Sequence, residues 1–153
     1  MKDGVEIKRE LYHKCTQYID QRIESIQKKL ADVAESRSNE TKSSAGDKHE
    51  TGRTMMQLEE QKATVQLYAA LEVKQTLNQL DVEMENSIVG LGSLVKCDSG
   101  NYFIAISAGK LEIEGTRYYG ISMQSPIGLK LAAKIVGDEV DFNGKVMKIL
   151  EVC

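Results

Sequence analysis

The chain is poor in aromatic residues and has no long apolar run. It has six Tyr, two Phe and no Trp among its 153 residues. No stretch of about 18 consecutive apolar residues occurs, and the first four residues lead directly into charged ones. We therefore expect neither a transmembrane helix nor a secretory signal, and no membrane partner.

Cysteine is also scarce. Cys15, Cys97 and Cys153 are odd in number, far apart in sequence and without a C-x-x-C spacing. This pattern does not favour a disulfide framework or a zinc site. We interpret the three residues as reduced thiols of a cytoplasmic protein.

No charge of one sign dominates the chain. It contains 20 Lys and Arg against 23 Asp and Glu, a formal net charge of −3. A protein that binds free nucleic acid by itself usually carries a broad basic field, and this sequence has none. The abundance of Glu, Lys, Gln, Leu and Ala favours long, solvent-exposed helices instead.

Apolar residues between Lys8 and Glu35 recur at the three- and four-residue steps of a heptad repeat. No Gly or Pro interrupts this stretch, which predicts one long amphipathic helix. Between Glu35 and Gly46 the periodicity is lost among Ser, Asn, Thr and Gly, which predicts a loop. The predicted seam consists of Tyr12, Cys15, Ile19, Ile23, Ile26, Leu30 and Val33.

A second heptad pattern extends as far as Glu85, with the small residues Ala63 and Ala70 at positions where two helices can approach closely. The two seams have similar lengths and a loop between them, so pairing within one chain is favoured over a parallel dimer. Residues 1–86 are therefore predicted to form an antiparallel coiled-coil hairpin in a monomer, with a polar tip near 36–53. The second seam consists of Met56, Ala63, Leu67, Ala70, Val73, Leu77, Leu80 and Met84.

Residues 87–153 have a different character, with short runs rich in Val, Ile and Tyr separated by turn residues. Asn143-Gly144 between apolar runs predicts a β-hairpin. One helix is predicted from Pro126 to Ile135, with Ser125 as its N-cap and Gly137 just beyond its end. The fold class expected is α+β, a helical hairpin followed by a small antiparallel sheet domain with one helix. The predicted strands are Leu91–Cys97, Tyr102–Ser107, Leu111–Glu114, Arg117–Met123 and Val146–Val152.

Residues 121–140 fit the pattern I-S-x-x-S-P-[LI]-G-x-x-L-x-x-x-x-x-G-D-x-V, and the last strand contains Ile-Leu-Glu-Val. Gly46-Asp47-Lys48-His49-Glu50, with Glu59-Glu60-Gln61 further on, is similar to G-D-x-x-E-N … E-E-Q. Both stretches resemble the Gre-type transcript cleavage factors of bacterial RNA polymerase. The resemblance implies an N-terminal coiled coil and a C-terminal domain of FKBP-like fold.

The resemblance also implies a function for the tip. Such factors enter the secondary channel of the polymerase, where two tip acids, here Asp47 and Glu50, would act at the active centre. The chain would have no cofactor of its own and would share Mg²⁺ with the polymerase, so it would be an accessory factor rather than an enzyme. From the residues alone, Asp47-x-x-Glu50 is equally a capping box.

The resemblance assigns two further sets of residues. Basic side chains near the tip would lie close to the RNA 3′ end inside the polymerase complex, although they could equally form a solvated helix face. The start of the predicted C-terminal helix would bind the polymerase. The first set is Arg37, Lys42, Lys48 and Arg53, and the second is Ser125, Pro126, Ile127 and Gly128.

Two other functions remain open from the sequence. Thr51 and Thr54 stand where the family usually has Asn and an aromatic residue, which motivates a channel-binding regulator without cleavage activity. A prolyl isomerase or chaperone would use the FKBP-like half. Such an enzyme needs an aromatic-lined pocket, and this half has few aromatic residues and no Trp.

Overall fold

The computed structural model describes the backbone of residues 2–42 and 46–153, and the side chains of residues 2–39 and 52–153. Its contacts divide the chain into two compact units, Met1–Tyr18 with Gln75–Cys153, here called the sheet unit, and Ile19–Lys74, called the distal hairpin. The predicted fold class, a helical hairpin followed by a sheet with one helix, is confirmed. The elements are α1 (Gly4–Lys42), α2 (Gly46–Asn78), β1 (Leu94–Cys97), β2 (Gly100–Ile104), β3 (Gly109–Ile113), β4 (Thr116–Ile121), α3 (Pro126–Leu131), β5 (Glu139–Phe142) and β6 (Lys145–Val152).

Within the distal hairpin, α1 and α2 run antiparallel. Lys74 pairs with Asp20 and Arg37 pairs with Glu60, so partner numbers on α2 fall as those on α1 rise. The buried seam consists of large residues on α1 and alanines on α2, which allows the helices to approach closely. Its buried members are Ile19, Ile23, Ile26, Val33, Ala63 and Ala70. At the base of α1 the seam is shifted from the prediction, because Leu11 is fully buried and Tyr12 only half-buried.

The loop predicted between Glu35 and Gly46 is wrong for most of its length, because α1 continues to Lys42. Ser, Asn and Thr each cost well under 1 kcal/mol in a helix relative to Ala, and no Gly or Pro lies between Glu35 and Gly46. A helix that is already nucleated extends through such residues. The Arg37–Glu60 pair also ties this part of α1 to α2.

The second helix ends at Asn78, earlier than the predicted Glu85. The Glu83 N–H donates to Asp81 Oδ1 at 3.0 Å, a local turn that competes with helical hydrogen bonding. Met84, predicted to lie in the seam, is 59% exposed. The apolar spacing of the sequence continues past Asn78, but the chain forms turns there instead of further helix. No helix in the described part of the chain has the length and apolarity needed to cross a membrane.

The six strands form one sheet in the order β3-β4-β2-β1-β6-β5. All neighbouring pairs are antiparallel except β2 and β4, which are parallel with Tyr102 opposite Tyr119. The sheet is therefore mixed, whereas the sequence predicted antiparallel pairing throughout. The reason is topological, because β3 crosses to the edge and β4 returns between β3 and β2, pointing in the direction of β2.

Both faces of the sheet are covered. On one face Ile127 and Leu131 of α3 pack with residues of five strands, which include Val95, Ile104 and Ile149. Alternate strand residues point to the other face, and there Leu94 and Phe103 are 1% and 0% exposed. The same unit also contains buried residues of α1 and α2, such as Ile7, Leu11 and Leu77.

The predicted β-hairpin turn is confirmed. Asn143 and Gly144 have φ values of 54° and 79°, the left-handed conformation that a two-residue primed turn requires. Helix α3 begins at Pro126 as predicted but ends at Leu131, before the predicted Ile135. Beyond Leu131 the backbone is hydrogen-bonded to Val89 instead of continuing the helix. The Ala133 N–H donates to the Val89 carbonyl, and the Val89 N–H donates to the Lys134 carbonyl, each at 2.9 Å.

Candidate functional site

The tip is formed where α1 ends at Lys42 and α2 begins at Gly46. Asp47 and Glu50 therefore belong to the first two turns of α2, and residues three apart in a helix share a face. Their side chains, and those of Lys42 and Lys48, lie outside the described residues. Their predicted roles, and the capping-box alternative, stay predictions.

Two of the basic residues predicted near RNA have described side chains. Arg37 is 48% exposed and pairs with Glu60 on the opposite helix, so its charge is partly neutralised within the hairpin. Arg53 is exposed on α2. The structure thus gives Arg37 a contact within the chain that the sequence did not predict. An exposed pair of this kind contributes at most about 1 kcal/mol to stability.

The start of α3 is built around Ser125. Its hydroxyl accepts a hydrogen bond from the Gly128 N–H at 3.1 Å and donates one to the Ser122 carbonyl at 2.7 Å. With φ −65° and ψ 155°, Ser125 is extended, as an N-cap residue should be, and Pro126 follows at the first helical turn. One hydroxyl therefore ties the helix start to the turn before it.

The four residues of the predicted partner-binding set differ in accessibility. Pro126 is exposed and Ser125 half-buried, while Ile127 is 8% exposed and packs in the core with α3. Gly128 is buried, and a Cβ there would collide with the Ser122 carbonyl. Ile127 and Gly128 therefore hold the turn in shape, and Pro126 is the member most able to contact a partner.

The same stretch exposes three apolar residues that the sequence analysis did not single out. Leu129 is 67% exposed, Ile135 48% and Val136 54%. They occupy unspecified positions of the signature, so the motif gave no signal for them. Helical spacing gave one, because Leu129 lies three residues after Pro126 and thus on the same face of α3. Pro126, Leu129, Ile135 and Val136 are here called the α3 segment.

The base of α1 contains a buried lysine. Lys8 is 0% exposed, and its ammonium donates to the Met84 carbonyl at 2.8 Å. Burial lowers the pKa of Lys8, opposed by negative groups that include Glu85 and Asp81. The adjacent Arg9 makes two hydrogen bonds of 2.6 Å to Glu83. Two consecutive residues of α1 thus hold the segment that follows α2.

All three cysteines are free thiols, with Cys15 and Cys97 buried and Cys153 half-buried. Burial raises the pKa of Cys15 to about 12 and that of Cys97 to about 11. Burial also raises the pKa of Cys153, while the positive charge of Lys8 lowers it in part. A group with a raised thiol pKa is protonated at neutral pH, so Cys15 and Cys97 are poor nucleophiles. Across the described side chains, no three His, Cys, Asp or Glu are grouped as metal ligands.

The elements define an α+β protein with an antiparallel helical hairpin and a mixed six-stranded sheet. Among solved structures, the chain is similar to one described as prokaryotic transcription elongation factor GreA/GreB from Nitrosomonas europaea, at 21% identity and a TM-score of 0.33. The similarity covers 54% of this chain and 78% of that one. No family model matches the sequence, and no curated protein is significantly similar to it.

Proposed function

We propose that this chain is a transcription elongation factor that binds bacterial RNA polymerase and stimulates cleavage of backtracked transcripts through its tip carboxylates in the secondary channel. The observation that carries the proposal is the Ser-Pro-Ile-Gly turn of residues 125–128, within a twenty-residue stretch that fits the family signature. Its serine cap and its glycine without room for a side chain give that signature a physical basis.

The α3 segment is the proposed contact with the polymerase. Pro126 and Leu129 are exposed on one face of α3, and the helix start beneath them is fixed by the Ser125 hydroxyl. An exposed apolar group on a rigid support loses little conformational entropy on binding, which favours affinity. The FKBP-like assignment of residues 87–153 and the boundary at 86 belong to the same proposal.

Asp47 and Glu50 would supply carboxylate oxygens, the ligands that Mg²⁺ prefers. The metal would belong to the polymerase, and one acid would help to hold it while the other orients the attacking water. The chain would act as an accessory factor in the cytoplasm, as a monomer, and would meet RNA only inside the polymerase complex. Arg37, Lys42, Lys48 and Arg53 would then lie near the RNA 3′ end.

The test is transcript cleavage in stalled elongation complexes. A double variant, Asp47→Asn with Glu50→Gln, keeps the shape of both side chains but removes their charge. We expect it to slow cleavage by at least about 100-fold, the range of acid–base contributions, while binding to the polymerase is unchanged. The matched control is His49→Ala, which lies between the two acids and should cleave at the wild-type rate.

Other results would select other functions. If the wild-type protein binds the polymerase but transcripts are not shortened, the chain is a channel-binding regulator without cleavage activity. If the double variant cleaves as fast as wild type, the tip acids are not the reactive groups. An isomerase is disfavoured by packing, because Phe103 and Tyr118 are 0% and 3% exposed. Tyr102 and Tyr119 pack against each other with ring centroids 5.9 Å apart.

A further inference from the structure

The segment that leads from α2 towards the sheet is not held by packing. Residues 81–88, all of them described, include no buried side chain. On either side of the segment Leu77 and Val89 are buried, and Val89 is hydrogen-bonded to the backbone of residues 133 and 134. A segment without buried apolar groups needs polar attachments to keep one conformation, because nothing else offsets its conformational entropy.

Two such attachments come from consecutive residues of α1. The Lys8 ammonium donates to the Met84 carbonyl at 2.8 Å, and the Arg9 guanidinium makes two hydrogen bonds of 2.6 Å to the Glu83 carboxylate. Lys8 is 0% exposed, whereas the Arg9–Glu83 pair lies at the surface. Lys8 and Arg9 are here called the α1 clamp.

A buried lysine is an unfavourable way to fill space. Removing an ammonium from water costs free energy, and an apolar residue of similar volume often gives equal or greater stability. Burial lowers the pKa of Lys8, and the charges of Glu85, Asp81 and Glu83 offset part of this effect. An ammonium provides a directional bond to one backbone atom of the segment, which an apolar side chain does not. Lys8 is therefore suited to fixing one arrangement of the chain.

The first turns of α1 are attached to the sheet unit at other points as well. Lys2 Nζ lies 3.5 Å from the carboxylate of Glu114, in the turn between β3 and β4. Gly4 lies against Cys153, because a Cβ at Gly4 would be 2.6 Å from the Cys153 Sγ. The clamp thus holds the segment against a part of α1 that the strands also hold.

A small motion at the base of α1 becomes a large one at its other end. The helix is continuous from Gly4 to Lys42. It rises by about 50 Å between Lys8 and Lys42, so a swing of about 5° at the clamp displaces Lys42 by roughly 4 Å. Catalytic groups tolerate much less, because a misplacement of about 1 Å can slow a reaction about 100-fold. A tip that acts in an active centre therefore requires a fixed base.

We infer that Lys8 and Arg9 are positioning residues for the proposed cleavage, because they fix the base of α1 to the segment that leads into the sheet. This inference rests on the proposed function, in which the α3 segment binds the polymerase and the tip acids act at its active centre. The clamp contacts neither RNA nor metal in this scheme. Its loss should slow cleavage by the bound factor and leave the affinity for polymerase unchanged.

The first test separates the maximum cleavage rate from the affinity. Lys8→Met removes the ammonium but keeps a long side chain in the buried site. We expect the rate at saturating factor to fall by at least about tenfold, with affinity within about twofold of wild type. Arg9→Gln breaks the exposed pair and should lower the rate by about threefold. Lys14→Met, the same change at a half-buried position of the same helix, is the control and should cleave as wild type does.

The second test needs no polymerase. Spin labels carried by unnatural amino acids at the exposed positions 34 and 145 report the distribution of distances between α1 and the sheet. We expect the distribution to broaden by about 3 Å in Lys8→Met, for a swing of about 5° over the roughly 39 Å of helix between residues 8 and 34. It should keep its wild-type width in Lys14→Met.

The outcomes separate this inference from the proposed function. A wild-type width or an unchanged maximum rate in Lys8→Met would overturn the inference and leave the proposed function standing. A loss confined to the free energy of unfolding would do the same, because it is what a merely structural lysine predicts. If Lys8→Met does not fold, the same two measurements on Arg9→Gln decide. Absence of cleavage by the wild-type protein would overturn the proposed function and, with it, the role of the clamp in cleavage.

Discussion

The sheet unit and the distal hairpin use their apolar residues differently. In the sheet unit Leu94, Phe103 and Ile104 are 1%, 0% and 0% exposed, and side chains on both faces of the sheet are buried. In the distal hairpin α2 buries Ala63 and Ala70 but exposes larger apolar residues. The comparison shows that the large apolar residues of the two central strands are packed within their own unit, whereas Leu58, Val65 and Tyr68 of α2 are not.

The sheet unit also contains ionisable groups whose pKa is displaced by burial. Among the described side chains, the groups whose pKa is displaced mainly by burial, Lys8, Cys15, Cys97, Tyr102 and Cys153, belong to the sheet unit. A buried thiol or ammonium senses the low polarity of a packed interior. These buried groups therefore give the folding of the sheet unit a pH dependence.

The largest expected effect concerns the helix start in the sheet unit. Gly128→Ala places a Cβ against the Ser122 carbonyl, and backbone cannot move aside cheaply. We expect a loss of about 3 kcal/mol in unfolding free energy, at the upper end for overpacking. Gly90→Ala is the control, because a Cβ there meets no atom within 4 Å. Denaturant titration measures both, and similar values for the two would show that the turn tolerates displacement.

The corresponding change in the distal hairpin should be smaller. Ala63→Leu inserts a large side chain at a position that is 0% exposed, where α1 packs closely. We expect a loss of about 2 kcal/mol, measured by thermal unfolding. Ala69→Leu makes the same change at an exposed position of the same helix and should stay within about 0.5 kcal/mol of wild type. A neutral Ala63→Leu would contradict the close approach of the helices.

The smallest effect, within the range of pH 8 to 10, is alkaline destabilisation. The pKa of Cys15 is raised from 9.0 to about 12 on folding, so above about pH 9 the unfolded state loses a proton that the folded state keeps. Stability therefore falls as pH rises from about 9 towards 12, by about 1.4 kcal/mol per pH unit for this thiol. Cys15→Ala should lose less stability than wild type between pH 8 and 10 in urea titrations. Equal losses would exclude Cys15 as the source.

Most strands and turns could be predicted because their signals are local. The turn at Asn143-Gly144 and the cap at Ser125 depend on residues within four positions of one another. The parallel pairing of β2 with β4 could not be predicted, because it depends on which strand β4 packs beside. Nor could the end of α2, where the apolar spacing of Leu80 and Met84 continued past the last helical turn.

The candidate sites divide in the same way. The residues of the signature were found from their order in the sequence, and the structure explains Ser125 and Gly128 by contacts with Ser122. The sequence could not show that Leu129 of α3 and Leu58, Val65 and Tyr68 of α2 are exposed, because this depends on which side of each helix is packed. Heptad spacing alone does not show whether Val65 is packed between the two helices or exposed on the outside.

The strand order has a consequence for how the sheet forms. The β1–β2, β3–β4 and β5–β6 pairs are hairpins joined by two-residue turns, and such local pairs close within microseconds. Strand β1 joins the group β3-β4-β2 to the group β6-β5, and its pairing of Val95 with Val152 connects distant parts of the chain. Long-range pairings carry the greatest loop-closure entropy and slow folding. We therefore expect the three hairpins to assemble first and the β1–β6 pairing to set the folding rate of the sheet.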